Sequence, residues 1–286
     1  MIPRGRFAPS PTGRLHLGSL LAAVASFLDM RSRGGSWLLR IEDIDPPREE
    51  PGAARDIIAC LTAHGLISDD EILWQSRRSD AYLDALSRLD QAGHLFRCAC
   101  SRREQGPQGS CNGRCIHTPP SLKQPCALRV KVPVDFRCQW QDDWQGAQDW
   151  RLGEQLRDFV VRRKDGLFAY QLAVVVDDAA QHITRVVRGA DLLDSTPRQR
   201  LLQQLLGYPA LEYAHIPVAI GANGQKLSKQ NHAPALDRER APDNLRMALA
   251  LLRQPPPPTG LRSCREILAH AAEHWAPAAI PHAPHL

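Results

Sequence analysis

The N-terminal turn of the sequence carries residue types that suit a phosphate ligand. Residues 9–19 follow a short apolar run and lead into a segment with apolar residues at helical spacing. The first N–H groups of a helix lack intrahelical partners and the helix dipole is positive there, so such a start attracts anions. His16 can donate a hydrogen bond to a phosphate oxygen, and Gly18 leaves room for a flat ring against the backbone. Taken alone, this stretch could also be a solvated turn with an ordinary helix cap.

A second candidate phosphate site lies far downstream. Lys226-Leu227-Ser228-Lys229 follows a glycine-containing turn, which suits a loop that closes over a ligand and then opens. A positioned ammonium group stabilises the negative charge that develops when pyrophosphate leaves a nucleotide. A solvated lysine pair is the alternative, because a four-residue pattern often occurs by chance. Together and in this order, the two stretches favour one nucleotide site, with Lys229 in contact with the nucleotide and Lys226 in support.

Charged residues mark the predicted ends of three strands. Arg6 ends the first strand, Glu42 follows the second and Arg188 ends a later one. Because ligands bind at the carboxyl ends of the strands in open α/β sheets, we expect these side chains to face a ligand. Guanidinium groups bind carboxylates in a bidentate manner, and a carboxylate binds an ammonium group, so the set suits an amino acid with an acidic side chain. Internal ion pairs among these residues are the alternative.

Four of the eight cysteines are close together in the sequence. One residue separates Cys98 from Cys100, and three separate Cys111 from Cys115. Four sulfurs at this spacing can form a tetrahedral structural zinc site, which stabilises a segment too polar to fold around a core of its own. A full set of four ligands leaves no open position for catalysis. Free thiols are the alternative, and His117 is a weaker candidate ligand.

Hydrophobic spacing predicts an α/β protein. Residues 2–7, 17–33 and 36–41 give strand, helix and strand, which is the opening unit of a parallel sheet. Residues 170–176 are apolar throughout and fit a helix or a strand equally well. The polar stretch 98–125 shows neither period and is expected to be an insert. The other predicted helices are 51–64, 80–92, 196–206, 244–252 and 261–274, and the other predicted strands are 127–132, 157–163, 182–187 and 213–220.

The composition is that of an ordinary globular protein. The chain has 286 residues, of which 43% are hydrophobic and 23% charged, enough for one large domain with a small insert. We see no apolar run of the roughly 20 residues that a transmembrane helix needs, and no signal-peptide pattern at the start. We therefore expect a cytoplasmic protein that does not bind a membrane. The formal net charge of +5 permits a polyanionic partner without requiring one.

The strings around these residues resemble those of one enzyme family. Residues 6–19 resemble the HIGH signature of class I aminoacyl-tRNA synthetases, in the form found in the glutamyl and glutaminyl enzymes, and residues 226–229 resemble their KMSKS loop. Residues 39–45, 168–178 and 187–191 resemble the corresponding strings of glutamyl-tRNA synthetases. The resemblance implies a Rossmann-like class I catalytic domain, with a zinc-binding insert and a short helical C-terminal part, that activates L-glutamate with ATP and Mg²⁺.

The same resemblance implies roles for individual residues. It implies that His16 and Lys229 are catalytic, and that ATP is bound by His16, Gly18, Lys226 and Lys229. It implies that glutamate is bound by Arg6, Phe7, Ala8, Pro9, Ser10, Glu42, Tyr170 and Arg188. Among these, the two arginines hold carboxylate, the glutamate side chain takes the α-amino group and the tyrosine lines the pocket. The fully cysteine ligand set departs from the family, where we expect tyrosine at the position of Cys111, and this favours zinc all the more.

The chain is expected to have two parts. Residues 1–240 form the nucleotide-binding catalytic domain, with the zinc-binding insert at about 97–126, and residues 241–286 form a short helical segment with a stiff joint at the four prolines 255–258. Of the 286 residues only 57 follow Lys229, which we take as too few for a separate anticodon-binding domain. The sequence is similar to family members that lack that domain. The similarity implies transfer of glutamate to the queuosine base of tRNA(Asp), by a monomer.

Two other functions stay open from the sequence. The first is a truncated glutamyl-tRNA synthetase that charges the 3′ end of a tRNA. The second is a zinc-stabilised paralogue without activity that binds RNA or regulates another protein. The presence of His16, Lys229, Arg6 and Glu42 argues against the second function.

Overall fold

The structure, a computed structural model, describes residues 2–106, 109–111, 113–151, 157–218 and 234–282 of the 286-residue chain. The α-helices within these residues are α1 (Leu17–Ser32), α2 (Ala53–Ala63), α3 (Ser79–Gln91), α4 (Arg114–His117), α5 (Tyr170–Ala180), α6 (Thr196–Leu206), α7 (Ala241–Leu251) and α8 (Cys264–Glu273). The strands are β1 (Arg4–Phe7), β2 (Ser36–Ile41), β3 (Leu73–Trp74), β4 (Leu95–Cys98), β5 (Ala127–Val130), β6 (Arg137–Asp142), β7 (Gly146–Arg151), β8 (Phe159–Arg162), β9 (Arg185–Gly189) and β10 (Glu212–Ile216).

Two groups of mostly parallel strands meet at the centre of the fold. The first has the order β1-β2-β3 and is parallel throughout, and the second has the order β7-β6-β10-β9 with only β7 antiparallel to its neighbour. The Thr184 N–H donates to the Arg4 carbonyl at 2.9 Å, so β1 and β9 start side by side. Residues that end β1, β9 and β10, or follow β2, line one common cavity, which is where ligands bind in open α/β sheets.

A smaller antiparallel sheet takes two strands from before β6 and β7 in the chain and one from after them. Its order is β4-β5-β8, and it packs with α3, α5 and α6 around a core that includes Tyr82, Val130, Leu172 and Leu202. The cysteine-bearing segment runs from the end of β4 to the start of β5. The insert is therefore part of this small sheet and not of the two groups of mostly parallel strands.

Helix α1 is buried almost all round, because the sheet covers one side and the C-terminal helices the other. Leu20 and Leu28 of α1 share a core with Leu245 and Leu249 of α7 and with Ile267 of α8. The side chains of α7 and α8 thus complete the core of the N-terminal strand–helix unit. The division of the chain at residue 240 stays a prediction.

A buried ion pair fixes α1 against β9. Arg185 Nε lies 2.5 Å from Asp29 Oδ2, and both side chains are almost inaccessible to water. Arg185 also pairs with Asp143 at 2.6 Å and with Glu212 at 3.1 Å. Because an unpaired buried charge is strongly destabilising, this network fixes the start of the strand that carries Arg188.

The α/β fold class is confirmed, and most predicted elements are present. Residues 36–41 and 196–206 form β2 and α6 with the predicted bounds. The ambiguous segment 170–176 is helical, within α5, and its burial on every side explains why it shows no period. The strands β3, β4, β6 and β7 were not predicted. None of the described helices is long and apolar enough to cross a membrane.

We expect Leu245→Ala to lower the free energy of unfolding by about 2–5 kcal/mol, because Leu245 is fully buried against α1 and the substitution leaves a cavity. Met247 lies on the same helix but is half exposed, so Met247→Ala should change this free energy by no more than about 0.5 kcal/mol. Urea denaturation of both variants measures the difference. Equal effects would contradict the shared core.

Candidate active site

A cavity of about 640 Å³ opens at the carboxyl ends of the central strands. Its wall joins residues from both groups of mostly parallel strands with the first turn of α1. All the predicted glutamate-binding residues lie in this wall: Arg6, Phe7, Ala8, Pro9, Ser10, Glu42, Tyr170 and Arg188. His16 and Gly18 lie in the same wall, so the N-terminal signature and the strand-end charges share one site.

Buried charges in and behind the cavity wall form one network. Arg6 Nε donates to Asp178 Oδ1 at 3.0 Å, and Arg40 Nη2 lies 2.8 Å from the same oxygen. Arg40 Nη2 also lies 3.8 Å from Glu42 Oε1. The neighbouring guanidinium groups of Arg40 and Arg6 outweigh the effect of burial and hold the pKa of Asp178 below its usual range. The alternative of internal ion pairs for Arg6 and Glu42 is therefore present in the structure. Their partners are Asp178 and Arg40, which sequence analysis missed.

Glu42 differs from Asp178, the other buried carboxylate of this network. Burial raises its pKa to about 7, against the opposing effect of Arg40 and Arg6. Its Oε1 atom is buried and accepts no hydrogen bond from the described residues. A buried carboxylate oxygen without a donor is costly, and a cationic N–H donor in the cavity would satisfy it.

Arg188 is a buried cation whose hydrogen-bond acceptors are neutral groups. Its Nε donates to His215 Nε2 at 3.0 Å, and its strongest other bonds go to Gln199 Oε1 and Thr196 Oγ1, both at 2.8 Å. Longer contacts reach the Tyr170 hydroxyl at 3.4 Å and the carbonyl of residue 192 at 3.3 Å. All five N–H groups thus have acceptors, and none of these acceptors carries a negative charge.

A second buried pair orients Arg188 from behind. His215 Nδ1 lies 2.5 Å from Asp142 Oδ2, and the His215 backbone N–H donates to Asp142 Oδ1 at 3.0 Å. Burial lowers the pKa of His215, which keeps the ring neutral. With Nδ1–H donating to the carboxylate, Nε2 is the acceptor that Arg188 requires. Asp142 ends β6, one of the strands that were not predicted.

The start of α1 presents donors to the cavity. His16 is the N-cap of the helix, and its Nδ1 accepts the Ser19 N–H at 3.3 Å. If the ring is neutral, its proton is then on Nε2, which lies 3.1 Å from Ser19 Oγ. The first turn of α1 contains no acidic residue. An anion at this end of the cavity would therefore meet a donor and the positive end of the helix dipole.

Lys226 and Lys229 lie outside the described residues. The chain on both sides of them reaches the cavity, however. Val218 lines it, and Ala235 pairs with His16 in an antiparallel backbone bridge. The next N–H, of Leu236, donates to the Leu15 carbonyl at 3.0 Å.

The four clustered cysteines come together as a candidate metal site. Cys98, Cys100, Cys111 and Cys115 are all buried, with their sulfur atoms within 4.8 Å of one another. Zinc–sulfur bonds of about 2.3 Å in a tetrahedron require sulfur atoms about 3.8 Å apart. Cys100 Sγ lies 3.5 Å from Cys115 Sγ and 3.7 Å from Cys111 Sγ, which fits. The exposed His117 is not part of this cluster.

Polar side chains hold the backbone around these cysteines. The Cys111 N–H donates to the Asp158 carboxylate at 2.9 Å, and Asp158 is paired with the buried Arg129. Lys164 Nζ donates to the carbonyls of residues 99 and 100 at 2.6 and 2.9 Å. Such contacts fix ligand orientation in metal sites, so this segment can hold a metal ion.

Sequence analysis missed several residues in the cavity wall and behind it. These are Arg40, Gln75, Asp142, Asp177, Asp178, Gln199 and His215, all of them buried polar side chains. For Asp178 a signal was available, because a carboxylate in an apolar helix needs a buried partner. For Asp142 the signal was the alternation of exposed and apolar residues in β6, which predicts a strand.

The fold and the residues of the cavity wall match those of a known family of enzymes. The family described as tRNA synthetases class I (E and Q), catalytic domain, matches residues 4–254. The glutamyl-Q tRNA(Asp) synthetase of Dechloromonas aromatica is 50% identical over 97% of this chain and 95% of its own length. That of Xanthomonas campestris is 49% identical over 97% of this chain and 93% of its own length. The chain belongs to the class I tRNA synthetases of the glutamate and glutamine type, and among them to the glutamyl-Q tRNA(Asp) synthetases.

Solved structures agree with this assignment. The glutamate-tRNA synthetase of Elizabethkingia anophelis has a TM-score of 0.83 and 25% identity, over 99% of this chain and 67% of that protein. The match extends over both groups of strands and the small sheet.

We expect Cys111→Ser to remove most of the zinc from the purified protein, because zinc in a structural site needs all four ligands. Cys126 lies near the same insert but outside the cluster, so Cys126→Ser should keep about one zinc per chain. Elemental analysis of both variants gives the stoichiometry. An unchanged zinc content in Cys111→Ser would contradict the site.

Proposed function

We propose that this protein uses ATP to activate L-glutamate as glutamyl-adenylate and then transfers the glutamate to the queuosine base of tRNA(Asp). The observation that carries the proposal is the single cavity in which Arg6, Glu42 and Arg188 face the same space as the His16 turn. The names of the relatives, which match the chain over nearly their whole length, support the same reaction and do not favour the two alternatives.

The strand-end charges form the glutamate pocket in this proposal. Arg188 is a buried cation with only neutral acceptors, so a substrate carboxylate would supply the missing negative charge. It would replace the longest contacts, to Tyr170 and the carbonyl of Leu192, because hydrogen bonds of 3.3–3.4 Å are weak. Arg6 adds a second guanidinium. Glu42 takes the α-ammonium group with the oxygen that has no donor.

The other end of the cavity takes ATP. His16 Nε2 and the first N–H groups of α1 donate to phosphate oxygens, and Gly18 lets the nucleotide approach the backbone. Lys226 and Lys229 stabilise the leaving pyrophosphate in this proposal. Its support is the family sequence and the position of Val218 and Ala235, which bring the chain to the cavity before and after these lysines. Mg²⁺ would enter bound to the phosphates of ATP and neutralise part of their charge.

Activation of glutamate needs orientation more than proton transfer. The α-carboxylate attacks the α-phosphorus, and pyrophosphate leaves with the electron pair of the cleaved bond. An ionised carboxylate is already a nucleophile, so no general base is required. Catalysis then rests on holding the two substrates in line and on stabilising the charge that develops on the phosphates.

The cysteine cluster has a structural role in this proposal. Four cysteine ligands leave no open position on zinc, and the cluster lies in an insert on the small sheet. We retain a catalytic part over residues 1–240 and a helical part over residues 241–286 as the working division of a monomer. A cytoplasmic location follows from the substrates, because ATP and tRNA(Asp) are found together there.

Glutamylation of tRNA(Asp) with and without queuosine tests the proposal. We expect labelled glutamate to be incorporated only into the queuosine-containing tRNA, and to stay attached after the 3′-terminal CCA is trimmed away. His16→Ala, which removes a phosphate donor, serves as the inactive control. Loss of the label with the CCA end would identify a 3′-charging enzyme, and absence of glutamate-dependent ATP–pyrophosphate exchange would identify a protein without this activity.

The KM for glutamate should rise as the pH falls below about 7, by about tenfold per pH unit, because Glu42 has its pKa raised to about 7 and binds ammonium only when ionised. The same shift works oppositely on folding: its contribution to stability is present below pH 4.5 and is lost as the pH rises to about 7. ATP–pyrophosphate exchange at a series of pH values measures KM. Glu42→Gln should give a high KM without this dependence, and a parallel pH profile in that variant would contradict the role.

A further inference from the structure

Gln75 occupies the position next to Glu42 in the cavity wall. The parallel register of β2 and β3 pairs Ile41 with Trp74, and each strand ends there. Glu42 and Gln75 therefore directly follow the two paired strands. Neighbouring strands lie about 5 Å apart in a sheet. Gln75 is fully buried and lines the cavity, although sequence analysis assigned it no role.

The orientation of the Gln75 amide is set by Asp177. Gln75 Nε2 donates to Asp177 Oδ2 at 2.8 Å, and the same carboxylate accepts hydrogen bonds from Arg78 and from the Tyr82 hydroxyl. A carboxylate in this position only accepts, so the amide must turn its nitrogen towards it. The carbonyl oxygen Oε1 then points away from Asp177. It is buried and accepts no hydrogen bond from the described residues.

Two adjacent wall residues thus each have one buried oxygen without a donor, Glu42 Oε1 and Gln75 Oε1. While Glu42 is ionised, both atoms accept and cannot donate, so they cannot satisfy each other. A ligand with several N–H donors on one atom and a positive charge would satisfy both at once. An alkylammonium group has three such donors.

We propose that Gln75 Oε1 is a second acceptor for the α-ammonium group of the amino acid substrate, held in place by Asp177. This rests on the proposed function, which assigns glutamate to the cavity. Gln75 is then a binding residue that distinguishes an amino acid from a dicarboxylic acid of the same length. Asp177 is a positioning residue that does not touch the substrate.

Comparison of L-glutamate with glutarate, which lacks only the amino group, tests this. Calorimetry gives both dissociation constants for the full-length protein. In Gln75→Met, which keeps the shape and removes the acceptor, we expect glutamate to bind about 10- to 100-fold more weakly, the size of a lost hydrogen bond to a charged group, and glutarate to bind as before. Gln75→Glu, whose protonated form can donate to Asp177 and still offer a carbonyl, should keep most of the preference for glutamate.

Tyr82→Phe is the matched control, because it removes a donor from the same oxygen of Asp177 and leaves the cavity wall intact. It should leave the ratio of the two constants close to the wild-type value. If Gln75→Met weakened the binding of both ligands equally, or of neither, the proposal would be overturned. The Gln75 amide would then have a structural role or bind a water molecule. If Gln75→Met does not fold, Gln75→Ser is measured in its place and its results are interpreted in the same way. A wild-type protein without preference for glutamate over glutarate would instead overturn the proposed function itself.

Discussion

Charged groups in the cavity wall have to stay ionised away from water, and this constraint determines much of the surrounding structure. Arg6 and Arg40 share one carboxylate, that of Asp178, and Glu42 beside them is only partly ionised at neutral pH. Arg188 has only neutral acceptors. The negative charge of Asp142 is separated from Arg188 by the neutral His215 ring. A substrate carboxylate would bring a negative charge into direct contact with Arg188, which an uncharged molecule of the same size would not do.

Helix α5 supplies the anions that make this arrangement stable. Asp177 and Asp178 are adjacent, so their side chains point in different directions from the helix: one to Gln75, Arg78 and Tyr82, the other to Arg6 and Arg40. Carboxylates near the carboxyl end of a helix are opposed by its dipole. Both are retained here because each is fully paired. One helical turn thus supports the carboxylate pocket and the acceptors proposed for the ammonium group.

The sequence predicted the parts of the site that lie directly on strand ends or on a helix start. Arg6 and Glu42 could be placed because the carboxyl ends of parallel strands always meet at one edge, and His16 because a helix start exposes N–H groups. The pairing of Asp142 with His215 could not be placed, because it depends on a parallel contact between β6 and β10, distant in the chain. Gln75 was missed for a related reason: β3 has only two residues and too little pattern to predict its register with β2.

The candidate metal site is connected to the cavity wall by a single turn of the chain. After β8 the chain passes through Arg163, which reaches Asp45 in the cavity wall at 3.0 Å, and Lys164, which binds the carbonyls beside Cys100. The same turn then leads to Phe168 and Tyr170, two further wall residues. A folded insert holds Lys164, and Lys164 limits where this turn can lie. Because a displacement of about 1 Å in a positioning group can reduce a rate by orders of magnitude, four buried thiols outside the cavity can still influence the placement of the substrate.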